Sequence, residues 1–458
     1  MADTFHGVLA FAFLSAVLLA GTILRARLPF LQHALVPASL IGGTLGFILL
    51  ATGLSGDFAS SDFGVFTFHF FTLSFMSLCL TGSAPGNENH SIPLGGTWLS
   101  AIWIVSLALQ ALLGLAAILL YNGMTGSELS AYLGLIATHG FTQGPGQAIA
   151  LGSIWQESGI QNAVNFGLIY ASLGFLVAFV AGVPVARWAI RRGLNANRLA
   201  RIDDEFLRGI YLEGNRPETG REVTHSANVD SLAYHLGILG VAYLLTDAWI
   251  RLMAPVVEGT FLEHVFSYNL FFFHGLVVCV LMRTAIDRAG FGHMIDDNTQ
   301  RRITGSSVDF MVVATLMSIE FGLLTTFLAP ILLVAIAVSV GTALLCYVAG
   351  RNLGNLGVER ALTIFGCCCG STGTGLLLLR ILDPDMRTPI AKELAFFNIA
   401  ILVGAFHILT LMAPNLPQIS LATIIAVYGL TIAVGLAAAI VIGRRMPAIA
   451  INPENPGD

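Results

Sequence analysis

The chain has 458 residues, 55% hydrophobic and 11% charged, with a net charge of −5 and a mean hydropathy of +0.80. A soluble globular chain carries about 25% charged residues, and apolar runs of about 18 residues or more recur along this one, the signature of a polytopic α-helical membrane protein. Soluble enzymes, nucleic-acid binders and disordered scaffolds are thereby excluded. A secreted disulfide framework is excluded as well, because all six cysteines lie in apolar stretches and three of them, Cys367, Cys368 and Cys369, are consecutive.

In chain order, hydropathy predicts spans near 5–24, 34–54, 63–82 and 98–121, an interrupted segment over about 128–157, and a span at 162–186. Asp3 precedes the first run and Arg25 and Arg27 follow it, the wrong order for a cleavable signal peptide, so a retained helix is expected. The stretch 187–230 is hydrophilic, with eight arginines and seven acids, and reads as a solvated linker. Leu199, Ile202, Phe206 and Ile210 fall at helical spacing within it and suggest a short amphipathic helix. Further spans are predicted at 231–251, 263–283, 305–325, 328–349, 390–412 and 419–442, with a second interrupted segment at about 356–382.

The interruptions are rich in glycine and proline: Gly140, Gly144, Pro145 and Gly146 in the first, and Gly366, Gly370, Gly373 and Gly375 in the second. Such density disfavours a continuous helix. Backbone freed in this way is tolerated at membrane depth only where protein buries it or a wet cavity solvates it. If both segments turn back as hairpins and the N-terminus is outside, only Arg251 of the 22 basic residues is left at the outer end. Positive-inside bias therefore favours hairpins, with the C-terminus cytoplasmic.

Shifting the chain by 229 residues brings its two halves into register. Thr142-Gln143-Gly144-Pro145-Gly146 then lands on Ser371-Thr372-Gly373-Thr374-Gly375, and four of the first five spans land on spans of the second half. Five crossings per half is an odd number, so the second half is expected to enter the membrane inverted. The predicted fold class is an all-α polytopic membrane protein of two inverted five-helix repeats. They would occupy 1–186 and 231–415, each with a re-entrant hairpin, joined by the linker 187–230 and followed at 416–458 by an extra helix and tail. Inverted repeats with paired broken helices mark secondary transporters, in which half-helix N-termini bind anions and unwound carbonyls coordinate Na⁺.

At these residues the chain resembles the sodium:glutamate symporter family and, more distantly in layout, the sodium:citrate carriers with two re-entrant hairpins. The likeness includes Val36-Pro37-Ala38-Ser39-Leu40-Ile41-Gly42-Gly43, Gly182-Val183-Pro184-Val185-Ala186-Arg187, and Cys369-Gly370 opening the second hairpin motif. Where those symporters share a Gly-Gly-His-Gly type of hairpin, this chain reads Phe141-Thr142-Gln143-Gly144-Pro145-Gly146. The resemblance covers the chain to about residue 415. It implies symport of glutamate or a related small anionic amino acid or dicarboxylate, with Na⁺ as coupling ion and no organic cofactor. It also implies a homodimer in which the part holding the hairpins moves against a fixed scaffold. The expected partners are the small anionic solute and the lipid bilayer, with no nucleic acid, in a bacterial inner (plasma) membrane.

Candidate substrate ligands are Thr142, Gln143, Gly144, Gly146, Ser371, Thr372, Gly373, Thr374 and Gly375, which combine hydroxyl or amide groups with accessible backbone N–H; the plainer reading is a pair of tight turns. Candidate Na⁺ ligands are Ser77, Thr81, Asn165, Ser318 and Asn398, against the alternatives of hydroxyls bonded to their own helix and of interhelix amide bonds. Asp309 and Glu320 are proton or cation candidates, since intramembrane carboxylates are costly. They are 11 residues apart in one predicted span and so expected on one face; interfacial carboxylates are the alternative. Arg380 either pairs a substrate carboxylate or snorkels to the surface. The cysteine triplet lacks metal-ligand spacing and reads as packing. His139, His274 and His407 read as core histidines, His139 bordering the first motif. A proton-coupled exchanger built on Asp309 and Glu320 is the alternative function, with a channel further off. An intramembrane enzyme is disfavoured for want of a nucleophile motif.

Overall fold

The computed structural model describes residues 2–82, 91–197, 203–216, 219–351, 353–384 and 388–446. Among these residues every regular element is a helix. In chain order, α1 (Ala2–Arg27), α2 (Ala38–Ala51) and α3 (Ser61–Leu80) precede the 35-residue α4 (Ser91–Thr125). The first interrupted stretch contains α5 (Ala137–Phe141) and α6 (Pro145–Glu157), and α7 (Ala163–Arg191) follows. Next come α8 (Ser231–Val257), α9 (Phe271–Arg288), α10 (Asp297–Met317) and α11 (Leu328–Gly350). The second interrupted stretch holds α12 (Gly357–Cys369) and α13 (Thr372–Leu382), before α14 (Ile390–Gly404) and α15 (Leu421–Arg445).

Eight helices among the described residues are long and apolar enough to cross a membrane, against eleven full spans expected from hydropathy. The three differences have physical causes. Only 14 residues of the 34–54 span form a helix, α2, about 21 Å of rise, because Pro37 and the left-handed Leu35 (φ 52°) break the chain before it. The 305–325 span is displaced: α10 begins at Asp297 with Asp296 as its cap, accepting from the Thr299 N–H at 2.8 Å, so its first turns carry Asp297, Arg301 and Arg302. The 390–412 span stops at Gly404, and a wider π-helical turn, His407–Met412, runs into the Pro414 and Pro417 region. In the linker, Leu199 and Ile202 lie outside the described residues, and the helix found there is Asp204–Arg208, capped by Asp203.

The chain divides into two compact units that cut across the sequence. The first comprises Met1–Leu24, Ala38–Asn87 and Ile210–Ser318. Its α10 lies along α3 and α2, and α9 lies along α3. Small residues bring the α2 and α10 backbones together: a Cβ on Gly43 would strike Leu316, and one on Gly46 would strike Met317. The core is aromatic, with Phe70 stacked on Phe310 and Phe71 edge-on to Phe272. Its ionic contacts gather at helix ends. Arg283 donates to the Leu80 carbonyl at 2.7 Å and to Asp297 at 3.0 Å, while Asp297 accepts the Gly82 N–H at 2.8 Å, closing the C-terminus of α3.

The second unit comprises Arg25–Pro37, Glu88–Gly209 and Ile319–Asp458. Its axis is α4, which packs against α11, α14 and α15. Ala108 and Ala111 are fully buried on it, and Gly114 meets the backbone of Gly134 directly. Both interrupted stretches belong to this unit and fold back on themselves. In the first, Tyr132 and Trp155 meet edge to face at 6.0 Å. In the second, Gly366 packs on Gly375 and Cys367 on the same glycine.

Candidate functional site

The first break runs through Thr142, Gln143 and Gly144. Gly144 adopts φ 86° and ψ −179°, a conformation that admits little but glycine. Pro145 then starts α6 at its first position, where the missing N–H costs nothing and the fixed φ suits a helix. Thr142 is 2% exposed and Gln143 9%; Gly144 and Gly146 are buried. Gln143 Oε1 is bonded to Nδ1 of His139 one turn earlier, on α5.

The second break is built differently. Ser371 is extended, and its hydroxyl caps α13 by accepting the Thr374 N–H at 3.3 Å. The Ser371 carbonyl takes the Gly375 N–H at 3.1 Å. Thr372 donates to Oδ1 of Asn398 on α14 at 2.9 Å. Ser371 and Thr372 are half-buried and Gly373 is exposed, whereas Thr374 and Gly375 are buried. A Cβ on Gly375 would collide with the Thr363 carbonyl and the Cys367 sulfur.

The two breaks adjoin. A Cβ on Gly144 would sit 3.3 Å from the Gly370 carbonyl oxygen. The Thr142 hydroxyl lies 3.2 Å from the Cys368 carbonyl and donates to Oε1 of Gln110 at 2.6 Å. Gln110, fully buried on α4, returns its amide N–H to that same Cys368 carbonyl at 2.9 Å and to the Thr342 hydroxyl of α11 at 2.9 Å. One side chain thus ties both breaks to two long helices. Gly174 on α7 supplies the clearance: a Cβ there would strike the Cys369 carbonyl and lie 3.3 Å from the Cα of Phe141.

Two helix N-termini, of α6 and α13, therefore lie beside one another. The first-turn N–H groups of a helix lack intrahelical acceptors and carry a partial positive charge, so each end attracts an anion. The hydroxyls of Ser371 and Thr372 and the exposed backbone at Gly373 stand at the rim of the second.

The remaining candidates lie elsewhere. Ser77 bonds Gln300 of α10, its hydroxyl 2.7 Å from the carbonyl and 2.6 Å from Oε1. Thr81 and Ser318 bond the carbonyls three residues back, at Leu78 and Thr315. These three belong to the first unit, as does Asp309 on α10. Asp309 and Glu320 do not share a helical face. α10 ends at Met317, and Glu320 precedes a separate short helix, Phe321–Thr326, accepting from Asn165 Nδ2 at 2.9 Å. The break contains neither glycine nor proline, so hydropathy runs straight through it. Arg380 is exposed, and the cysteine triplet is buried and free. Of the ion candidates, Asn398 alone bonds a hairpin motif.

Sequence reasoning missed Gln110. It is the sole amide in the apolar run 98–121, a signal of the same kind that singled out Asn165 and Asn398. Thr342, one of three hydroxyl residues in α11 with Ser339 and Tyr347, carried none.

Two adjoining helix breaks, each starting a half-helix, are an arrangement that secondary transporters use to bind solutes and ions. The sequence matches the sodium/glutamate symporter family model over residues 4–376, and the chain belongs to that family: it is a membrane transporter, not an enzyme. The match ends at Leu376, inside α13. No curated protein and no solved structure matches the chain.

Proposed function

We propose that this chain carries glutamate, or a closely related small anionic amino acid or dicarboxylate, together with Na⁺ by alternating access, and that the solute is held where the two breaks adjoin. The observation that supports this most is the shared Cys368 carbonyl, bonded from Thr142 and Gln110, because it fixes the N-termini of α6 and α13 beside one another. An anionic carboxylate would take their free N–H groups and the hydroxyls of Ser371 and Thr372. Gly144, Gly146, Gly373 and Gly375 would keep side chains out of its way. Thr142 and Gln143, both committed to protein partners, would hold the first break rather than the solute.

For Na⁺ the favoured ligands are Asn398 and Thr372 with backbone carbonyls of the second break. Ser77, Thr81 and Ser318 act in packing and helix ends on this reading, and the Asn165–Glu320 bond joins α7 to the segment before α11. Family membership implies Na⁺ as the coupling ion, and each ligand favours the other because both bind the same conformation best. We read residues 1–186 and 231–415 as inverted repeats, with 187–230 as linker and 416–458 as an added helix and tail. The compact units support this: 1–24 and 38–87 join part of the second half in one unit, and both halves contribute their hairpins to the other unit. The hairpin-bearing unit would be the moving part, in a homodimer whose N-terminus is outside.

Uptake of labelled L-glutamate into proteoliposomes tests the reading. Accumulation should require an inward Na⁺ gradient, should not be supported by an H⁺ gradient alone, and should be lost on Ser371→Ala in protein that remains folded. Absence of uptake from folded, correctly reconstituted wild type would overturn glutamate as the substrate.

A further inference from the structure

At the foot of the second hairpin lies a carboxylate that the transport reading does not use. Glu359, in the first turn of α12, is fully buried. One oxygen accepts the Ala196 N–H, from the connection that follows α7, and the other, Oε2, has no hydrogen-bond partner. The adjacent guanidinium does not supply one. Arg360 is engaged in a bidentate pair with Glu393 of α14, Nε to Oε2 at 2.9 Å and Nη2 to Oε1 at 2.6 Å, with both side chains buried. That pair is neutral as a unit.

Among the described residues, the other charged group facing Glu359 is Asp383, at the end of α13, which accepts from Asn197 Nδ2 at 2.9 Å and from the Thr388 N–H at 2.7 Å. Glu359 therefore has a carboxylate neighbour, a cation already taken by another acid, and backbone N–H groups of Ala196 and its own residue as donors, with Oε2 left unpartnered. A carboxylate anion is costly in such a place unless paired and fully hydrogen-bonded. A neutral carboxylic acid has no such need. The Thr363 hydroxyl, four residues on along the same helix, is likewise buried without a partner and is not bonded to Glu359.

We propose that Glu359 is a proton-binding site: it carries a proton while the 195–197 segment covers it. The proton comes from water and returns to it when that cover opens, so the foot of the hairpin is proton-linked independently of the solute at the tip. This goes beyond the transport reading and does not depend on which solute is carried.

The test uses the full chain in nanodiscs and compares the infrared spectra of wild type and Glu359→Gln at neutral pH. Glutamine is the neutral isostere of the protonated acid, so the variant should fold with an unfolding midpoint within a few degrees of wild type. The wild type should show a protonated-carboxyl C=O stretch that the variant lacks. Identical spectra in the carboxylic-acid region would overturn the proposal. So would a Glu359→Gln chain that fails to fold, since that outcome would mean the anion is required.

Discussion

The two breaks solve the same problem, a helix interrupted within an apolar bundle, by opposite means. The first is closed by its surroundings. Gln110 and Cys368 hold Thr142, His139 holds Gln143, and the backbone turns on a buried glycine at φ 86°. The second is closed by itself: Ser371 caps its own half-helix, Thr372 reaches one amide on α14, and Gly373 stays exposed. Their feet differ as well, the second being tied to α14 by the buried Arg360–Glu393 pair. The contrast separates tasks: a break whose polar groups are all committed can position a ligand, and one whose polar groups stand at a surface can bind it.

Mutations graded by this contrast should fall in a definite order. Arg360→Met leaves Glu393 buried without its cation, at a cost of about 3–5 kcal/mol. Little folded protein is expected from it, and adding Glu393→Leu should restore most of the yield on a size-exclusion profile. Gln110→Leu strips the first break of its hub and should cost about 2 kcal/mol, seen as a clear drop in thermal unfolding midpoint together with lost uptake. Recovery of full stability in that variant would break the contrast. Thr142→Val removes one hydroxyl bonded within the protein, for about 1 kcal/mol, with a lower unfolding midpoint. Thr372→Ala at the rim removes one bond to Asn398, for no more than about 1 kcal/mol of stability, while raising KM about tenfold, some 1.4 kcal/mol of lost binding. If Thr142→Val and Thr372→Ala prove interchangeable in both readouts, the two breaks do not divide the work as described.

The breaks themselves were legible from sequence because glycine and proline act locally: the density of Gly140, Gly144, Pro145 and Gly146, and of Gly366, Gly370, Gly373 and Gly375, weakens a continuous helix at each place. Their shared order across the halves also pointed to the regions that now adjoin. What holds them together was not legible. The Gln110–Thr142–Cys368 network joins three segments separated by 32 and 226 residues, and no local pattern encodes such a meeting. The hydroxyl candidates differ in another way. Ser77, Thr81 and Ser318 stand at plausible depth, but hydropathy cannot say that a carbonyl already occupies each one. Asp309 and Glu320 were assigned to one helical face on the assumption of an unbroken helix, and the chain ends α10 at Met317 without glycine or proline to announce it. Glu359 escaped notice because it reads, in sequence, as half of an ordinary Glu-Arg pair at a hairpin mouth.

The most direct test of the central claim, that the adjoining breaks form the solute site, is Na⁺-driven L-glutamate uptake into proteoliposomes by wild type and Ser371→Ala side by side, with thermal unfolding recorded on the same preparations. The account predicts accumulation by wild type under an inward Na⁺ gradient, and its loss in a variant whose unfolding midpoint stays within a few degrees. Undiminished uptake by folded Ser371→Ala, with unchanged KM, would contradict it.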